Sequence, residues 1–295
     1  MSWRASGEPR ARLSAEEFRL LRDLVYEYAG LSFEEEATFL FDRRLGERLE
    51  ALSLPSFNAY YKYLRFNVRG PAEMEEVVER LTTKETYFFR QEYQLRSFSK
   101  ELLPLLARRN DDSRRLCIWS AGSSTGEEAY TLAILVRESG LFADWDVRIV
   151  GSDICKGCVT TARRGVYQSN SFRTTPEGMR SRYFREASDG VHVSESVKQL
   201  CHFGQLNLLD SGRASMVGRV DVIFCRNVLI YFDLRSRRRV IDNLYERLLP
   251  GGYLLLGHSE SLLNLSTAFE LVHLREDLVY RKPLTTERWD STNRR

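Results

Sequence analysis

Apolar residues recur at helical spacing through the first part of the chain. Ser14 followed by Glu17 is a capping box that opens a helix over SAEEFRLLRDLVYEYAG, with Phe18, Leu21, Val25 and Tyr28 on one face and Gly30 as its stop. TFLFDRRLGERLEAL predicts a second helix, with Leu40, Leu45, Leu49 and Leu52 along one side. SFNAYYKYL after Pro55 and AEMEEVVERLT after Pro71 predict a third and a fourth. Residues 1–80 therefore read as an all-α domain, and residues 81–114 as a linker.

From residue 115 the rhythm changes. LCIWSAG, VRIVGSDI, VDVIFCRNVLIYF and GYLLLGHSES are strand-like apolar runs, and LVYRKP reads as a last, edge strand. Between them lie helical patterns: EEAYTLAILVRESG, CVTTARRGVY and RSRRRVIDNLYERLLPGG, the last expected to stop at Pro250-Gly251-Gly252. Strand–helix alternation over 115–283 predicts an α/β domain with a doubly wound, Rossmann-like, mainly parallel sheet. Residues 168–203 break the alternation and are expected to form a small inserted β-subdomain. Residues 284–295 read as a polar tail.

Composition narrows the partners. Residues 1–80 carry 12 Lys+Arg against 15 Asp+Glu, and the whole chain of 295 residues has a formal charge of only +3. That balance argues against a nucleic-acid partner. The N-terminus lacks an apolar signal core, and no apolar run approaches the ~20 residues that span a bilayer. Five scattered cysteines do not make a disulfide framework and fit a reducing compartment. A cytoplasmic chain without membrane insertion is the expectation.

Candidate chemistry gathers after the first strands. Ser120-Ala121-Gly122-Ser123-Ser124-Thr125-Gly126 leads from strand to helix, where small residues let the backbone approach a ligand. Taken alone, such a turn is as readily structural as functional. Asp153 ends the second strand, where an acid can accept ribose hydroxyls. Glu127 and Glu128 open the helix; they would repel a pyrophosphate and suit a cationic ligand, though acids in a first turn also stabilise the helix dipole. These features favour adenosylmethionine over a nicotinamide cofactor.

At this point the chain resembles the chemotaxis receptor methyltransferases, the CheR family. LTTKETYFFR, WSAGSSTGEEAYT, GSDI, ARRGVY, NLLD, FCRNVLIYF and LLPGGYLLLGHSESL match its blocks in order, over about residues 13–283. The resemblance implies transfer of a methyl group from S-adenosyl-L-methionine to glutamate side chains of chemoreceptors, leaving S-adenosyl-L-homocysteine and using no metal. It implies a cofactor site of Lys84, Thr86, Arg90, Gly122, Glu127, Glu128, Asp153, Asn207, Leu208, Asn227 and Val228, with Arg90 and Tyr231 beside the transferred methyl. Lys84 stands where the family usually has Asn, and Cys155 where it often has Asp.

The resemblance also makes the second helix, with Arg43, Arg44 and Arg48, a docking surface for the helical cytoplasmic domain of the receptor; a solvated face paired with Asp42, Glu47 and Glu50 is the plainer alternative. The insert matches a subdomain that captures receptor tail peptides in some members. Its REASDG loop looks short, so no such tethering is expected; the chain is also expected to be a monomer. A non-catalytic adenosylmethionine-binding adaptor, or a methyltransferase with another substrate, is the competing reading. An amino-methylating enzyme would place an Asp/Asn-Pro-Pro-aromatic loop where this chain has Arg226-Asn227-Val228-Leu229. Cys155-Lys156-Gly157-Cys158 is a CxxC without a second Cys pair, so no metal site is expected.

Overall fold

A computed structural model describes residues 12–284. They group into two units: residues up to Thr83 with Tyr231–Asp233, and Lys84–Ile230 with the chain from Leu234 onward.

The first unit is helical: α1 (Ala15–Ala29), α2 (Thr38–Ala51), α3 (Phe57–Phe66) and α4 (Gly70–Leu81). Both halves of the capping box form, since the Ser14 hydroxyl accepts the Glu17 N–H and the Glu17 carboxylate accepts the Ser14 N–H. Phe18, Leu21, Leu24 and Val25 of α1 are buried with Phe41, Leu45 and Leu49 of α2, and the Phe18 and Phe41 rings meet edge to face at 5.0 Å. Leu24 rather than Tyr28 completes the α1 face; Tyr28 is 37% exposed.

One ion pair lies inside this unit. Arg48 donates to both oxygens of Glu73 at 2.8 and 2.7 Å, and the Tyr60 hydroxyl donates to the same carboxylate at 2.7 Å. Burial alone would raise the Glu73 carboxyl, but the hydrogen bonds from Arg48 and Tyr60 outweigh it and hold the group below its ordinary value. Arg44 is engaged as well, donating to the carbonyls of Arg80 at 2.5 Å and Thr82 at 3.4 Å.

The second unit starts with a helical run where the sequence suggested a linker. It comprises α5 (Glu92–Ser97), a π turn (Phe98–Leu102) and α6 (Leu103–Arg109). Pro104, lacking an N–H, sits in the first turn of α6, where the wider π register has just freed the hydrogen-bond ladder. Leu95, Phe98, Leu102, Leu103 and Leu106 are buried, and the Phe98 ring meets Phe224 edge to face at 5.1 Å. This segment is therefore part of the sheet unit's core.

The elements that follow are β1 (Arg115–Ala121), α7 (Glu127–Ser139), β2 (Asp146–Asp153), α8 (Lys156–Arg164), β3 (Val166–Tyr167), α9 (Glu177–Tyr183), β4 (Phe184–Ala187), β5 (Gly190–Val193), α10 (Glu195–Lys198) and β6 (Cys201–Gln205). Then come α11 (Ser211–Ala214), β7 (Val220–Cys225), α12 (Leu234–Arg247), β8 (Leu248–Leu256), β9 (Glu270–His273) and β10 (Leu278–Arg281). The main sheet has the order β6-β2-β1-β7-β8-β10-β9, parallel from β6 to β8, with β10 antiparallel to β8 and to β9. The small sheet, β3-β5-β4, is antiparallel. No helix among the described residues is long and apolar enough to cross a membrane.

Three sequence expectations change. Cys201, His202 and Phe203, assigned to the insert, begin β6, an edge strand of the main sheet paired with β2. LVYRKP is not the edge, because β9 lies outside it. The α12 helix ends before Leu248-Leu249-Pro250, which already run in β8; Pro250 lacks a donor, and the β7–β8 register shifts between Val220 and Val222 to pass it.

Candidate active site

The parallel strands β6, β2, β1 and β7 end side by side, and the chain order reverses at β1, with β2 on one side and β7 on the other. Such a switch point opens a crevice at the carboxyl ends of the strands. Asp153 ends β2, Gly122 follows β1, Asn207-Leu208 follow β6, and Asn227-Val228 follow β7. Most of the expected cofactor residues thus share one crest.

Local structure fixes each of them. The N–H groups of Gly122 and Ser123 both donate to the Ser152 carbonyl at 2.8 Å, turning the chain sharply after β1. Gly122 has φ +80°, and a Cβ there would stand 2.4 Å from a methyl of Val228. Glycine is therefore required both for the turn and for the approach of the loop after β7. Gly126, with φ +97°, leads into α7.

Asp153 is anchored rather than free to swing. One carboxylate oxygen accepts the Ser124 N–H at 2.8 Å, and the other accepts the Cys155 N–H at 2.9 Å. Burial pushes its carboxyl upward, opposed by those N–H groups and by the charge of Lys84. The cation of Lys84 thus acts on Asp153, where the family resemblance led to the expectation of a neutral amide. Asn207 caps its own turn by accepting the Leu209 N–H at 3.0 Å, and the Leu208 carbonyl accepts from Asn243 at 2.9 Å. Thr86 is half-buried in the extended segment after Lys84.

The two glutamates at the start of α7 part company. Glu128 accepts from the Ser120 hydroxyl at 2.7 Å and from the Arg226 guanidinium at 3.2 Å. Glu127 is 2% exposed. Its carboxylate accepts the hydroxyls of Thr125 at 2.7 Å and Ser171 at 3.0 Å, and burial raises its pKa. The sequence reading placed Glu127 in the cofactor site. Its hydrogen bonds instead tie the start of α7 to the turn before α9.

Arg226 organises the centre. Its guanidinium donates to Glu128, to the Gln91 amide oxygen at 2.6 and 3.1 Å, and to the Arg90 carbonyl at 2.6 Å. The Arg90 side chain donates to the Glu85 carbonyl at 3.0 Å and packs 5.6 Å from the centre of the Tyr87 ring. The Gln91 amide nitrogen lies 3.1 Å from Nδ1 of His258. Next to that pair, a cleft of about 520 Å³ opens, lined among others by Tyr93, His258, Glu260 and Asp277.

Glu260 holds the loop after β7. Its carboxylate accepts the N–H groups of Asn227 (2.8 Å), Val228 (2.9 Å), Gly257 (2.7 Å) and Ile230 (3.3 Å). Sequence reasoning missed Arg226, Gln91 and Glu260 as site residues; only the GHSES block gave a signal for the last. Tyr231 begins the Tyr231–Asp233 segment that groups with the helical unit. There its carbonyl accepts the Ser32 N–H at 2.9 Å, and Asp233 accepts the Tyr26 hydroxyl at 3.0 Å.

Comparison with known proteins supplies the family. Residues 84–278 match the model of the CheR methyltransferase SAM-binding domain, and residues 16–82 match that of the CheR methyltransferase all-alpha domain. The chain belongs to the CheR methyltransferase family. Chemotaxis protein methyltransferase 2 of Vibrio cholerae is 37% identical over 269 residues, 90% of this chain and 93% of that protein. Chemotaxis protein methyltransferase 2 of Pseudomonas aeruginosa is 38% identical over 266 residues, 88% of this chain and 91% of that protein. The solved N-methyltransferase NodS of Bradyrhizobium japonicum, bound to S-adenosyl-L-homocysteine, aligns with 63% of this chain and 88% of its own at 17% identity and a TM-score of 0.35.

As a CheR methyltransferase, this is an S-adenosylmethionine-dependent enzyme of chemotaxis. The donor set at the crest fits that cofactor: an anchored acid for the ribose, small residues for close backbone approach, and Glu128 for a positive charge. The chain's own residues would hold the cofactor through Asp153, Gly122, Glu128 and the Asn207 and Asn227 turns. The bound cofactor supplies an electrophilic methyl group.

Proposed function

We propose that this methyltransferase esterifies glutamate side chains on the helical cytoplasmic domain of chemoreceptors. The observation that carries the reading is Arg90. Its carbonyl accepts from the same Arg226 that holds Glu128, and its side-chain charge is near enough to act on Arg226, which supports a cationic group at the edge of the proposed cofactor site. A guanidinium can grip a carboxylate with two parallel hydrogen bonds and fix its line of attack.

The reaction balances without a general base. A glutamate is ionised at neutral pH. A lone pair of its oxygen forms the new O–CH3 bond while the S–CH3 bond breaks, and that electron pair stays on sulfur as the neutral thioether. The work left to the protein is alignment and exclusion of water. The segment after β7 reads Arg-Asn-Val-Leu and lacks the prolines expected for amino methylation. Lys84, Thr86, Arg90, Gly122, Glu128, Asp153, Asn207, Leu208, Asn227 and Val228 are assigned to the cofactor, and Tyr231 to the reacting groups. Glu127 is removed from the set.

The helical unit is assigned to receptor docking. Arg43 is exposed on α2, whereas Arg44 and Arg48 are partly buried, so Arg43 presents the most accessible charge of the three to a receptor acid. Strands β4 and β5 are joined by a short turn, which supports methylation without capture of a tail peptide. The test uses labelled S-adenosylmethionine and receptor cytoplasmic fragments. Replacing the acceptor glutamates with alanine is expected to abolish labelling, and labelling that persists would exclude glutamate as the acceptor.

A further inference from the structure

Cys155 and Cys158 occupy the N-cap and third position of α8, and the methyl-transfer account uses neither. The two sulfurs and a carboxylate oxygen of Asp153 lie within 4.8 Å of one another. The thiols are 1% and 2% exposed. The Cys158 N–H donates to the Cys155 sulfur at 3.1 Å, and the Cys155 N–H donates to Asp153 at 2.9 Å. Three donors of the type that binds zinc are thus pinned to one another by main-chain hydrogen bonds at a rigid strand end and helix start.

The dimensions suit an ion. Zinc–sulfur bonds of ~2.3 Å at tetrahedral angles put two sulfurs ~3.8 Å apart. The cluster therefore closes around a cation with shifts of about an ångström. Two thiols and one carboxylate suit a metal that bonds strongly to sulfur rather than a hard cation.

We propose that Cys155, Cys158 and Asp153 form a three-ligand site for a thiophilic divalent cation of the zinc class, and that its occupation excludes the methyl donor. The exclusion rests on the assignment of Asp153 to the ribose. Each thiol gives its proton to the buffer as its sulfur–metal bond forms. Water completes the fourth position.

The test is a titration of the reduced, metal-free full chain with Zn²⁺ by calorimetry and with Co²⁺ by absorption. One ion per chain is expected, with a thiolate-to-cobalt charge-transfer band. Cys155→Ser and Cys158→Ser are each expected to weaken zinc binding by roughly 100-fold, and Asp153→Asn by roughly 10-fold, with circular dichroism unchanged. Saturating S-adenosylhomocysteine is expected to weaken it at least about tenfold. Zinc binding that both Cys→Ser variants retain, or no stoichiometric binding at all, would overturn the site and leave the methyltransferase reading standing. Cysteine-dependent zinc binding that S-adenosylhomocysteine does not affect would overturn the exclusion and the ribose role of Asp153 together.

Discussion

Arg226 and Glu128 pair at 3.2 Å with side-chain exposures of 2% and 16%. The pair joins the second residue of α7 to the residue that follows β7, and the remaining guanidinium donors fix Gln91 and the Arg90 carbonyl. Removing the arginine takes a buried guanidinium from the Glu128 carboxylate, the Gln91 amide oxygen and the Arg90 carbonyl. Arg226→Met is predicted to destabilise the fold by about 3–5 kcal/mol and to abolish cofactor binding. Arg226→Lys keeps the charge but not the fork, and is predicted to recover part of the stability and little of the binding. Urea unfolding beside calorimetry separates the two effects.

Glu260 is predicted to act on the cofactor through the loop it holds. In Glu260→Gln an amide donor would face main-chain N–H groups that now meet a carboxylate. The expected cost is about 1–3 kcal/mol of stability. Affinity for S-adenosylhomocysteine is expected to fall about tenfold, or about 1.4 kcal/mol, because Val228 shifts against Gly122. Unchanged affinity in a folded variant would confine Glu260 to loop structure.

Glu127 carries a pH dependence. Its folded pKa is raised by burial above the ordinary 4.5. The folded state therefore holds its proton more tightly than the unfolded chain does. The resulting advantage is complete below pH 4.5 and is lost as pH rises through the folded value. Glu127→Gln keeps an acceptor for the Thr125 hydroxyl and removes the buried charge. It is predicted to raise stability at pH 8 and to flatten the pH profile. Denaturant midpoints at pH 5 and pH 8 check this.

Arg48 and Arg43 are predicted to separate stability from recognition. Arg48→Ala strands the Glu73 carboxylate in the helical unit and is expected to cost about 3–5 kcal/mol. In the intact protein the depressed Glu73 pKa contributes stability at neutral pH that is lost as pH falls through its folded value. Arg43→Glu is predicted to lower Tm much less than Arg48→Ala and to reduce methylation of receptor fragments several-fold, more at low salt than at high. Equal methylation at low salt would remove Arg43 from the docking surface.

Much of the fold was legible because its signals are local. The Ser14–Glu17 box, the glycine turn after β1 and the acid ending β2 announce themselves within a few residues. The failures were non-local. Cys201–Gln205 is too short and mixed to read as a main-sheet strand until β2 is beside it. Leu248-Leu249-Pro250 continues a helical apolar pattern, and only pairing with β7 makes it strand. Arg226 and Gln91 are 135 positions apart, so no spacing rule connects them. Glu127 and Glu128 look equivalent in sequence, and tertiary hydroxyls from Thr125 and Ser171 decide that one is interior.

The most direct test of the account compares wild type with Arg90→Ala at saturating S-adenosylmethionine, following methyl label on receptor fragments and its release as methanol in alkali. Alkali-labile label is predicted for wild type. At least about a 100-fold slower transfer is predicted for Arg90→Ala even with the cofactor saturating, a loss that weaker S-adenosylhomocysteine binding does not account for and the signature of an interaction made with the reacting carboxylate. Label that survives alkali, or equal rates in the two proteins, would contradict it.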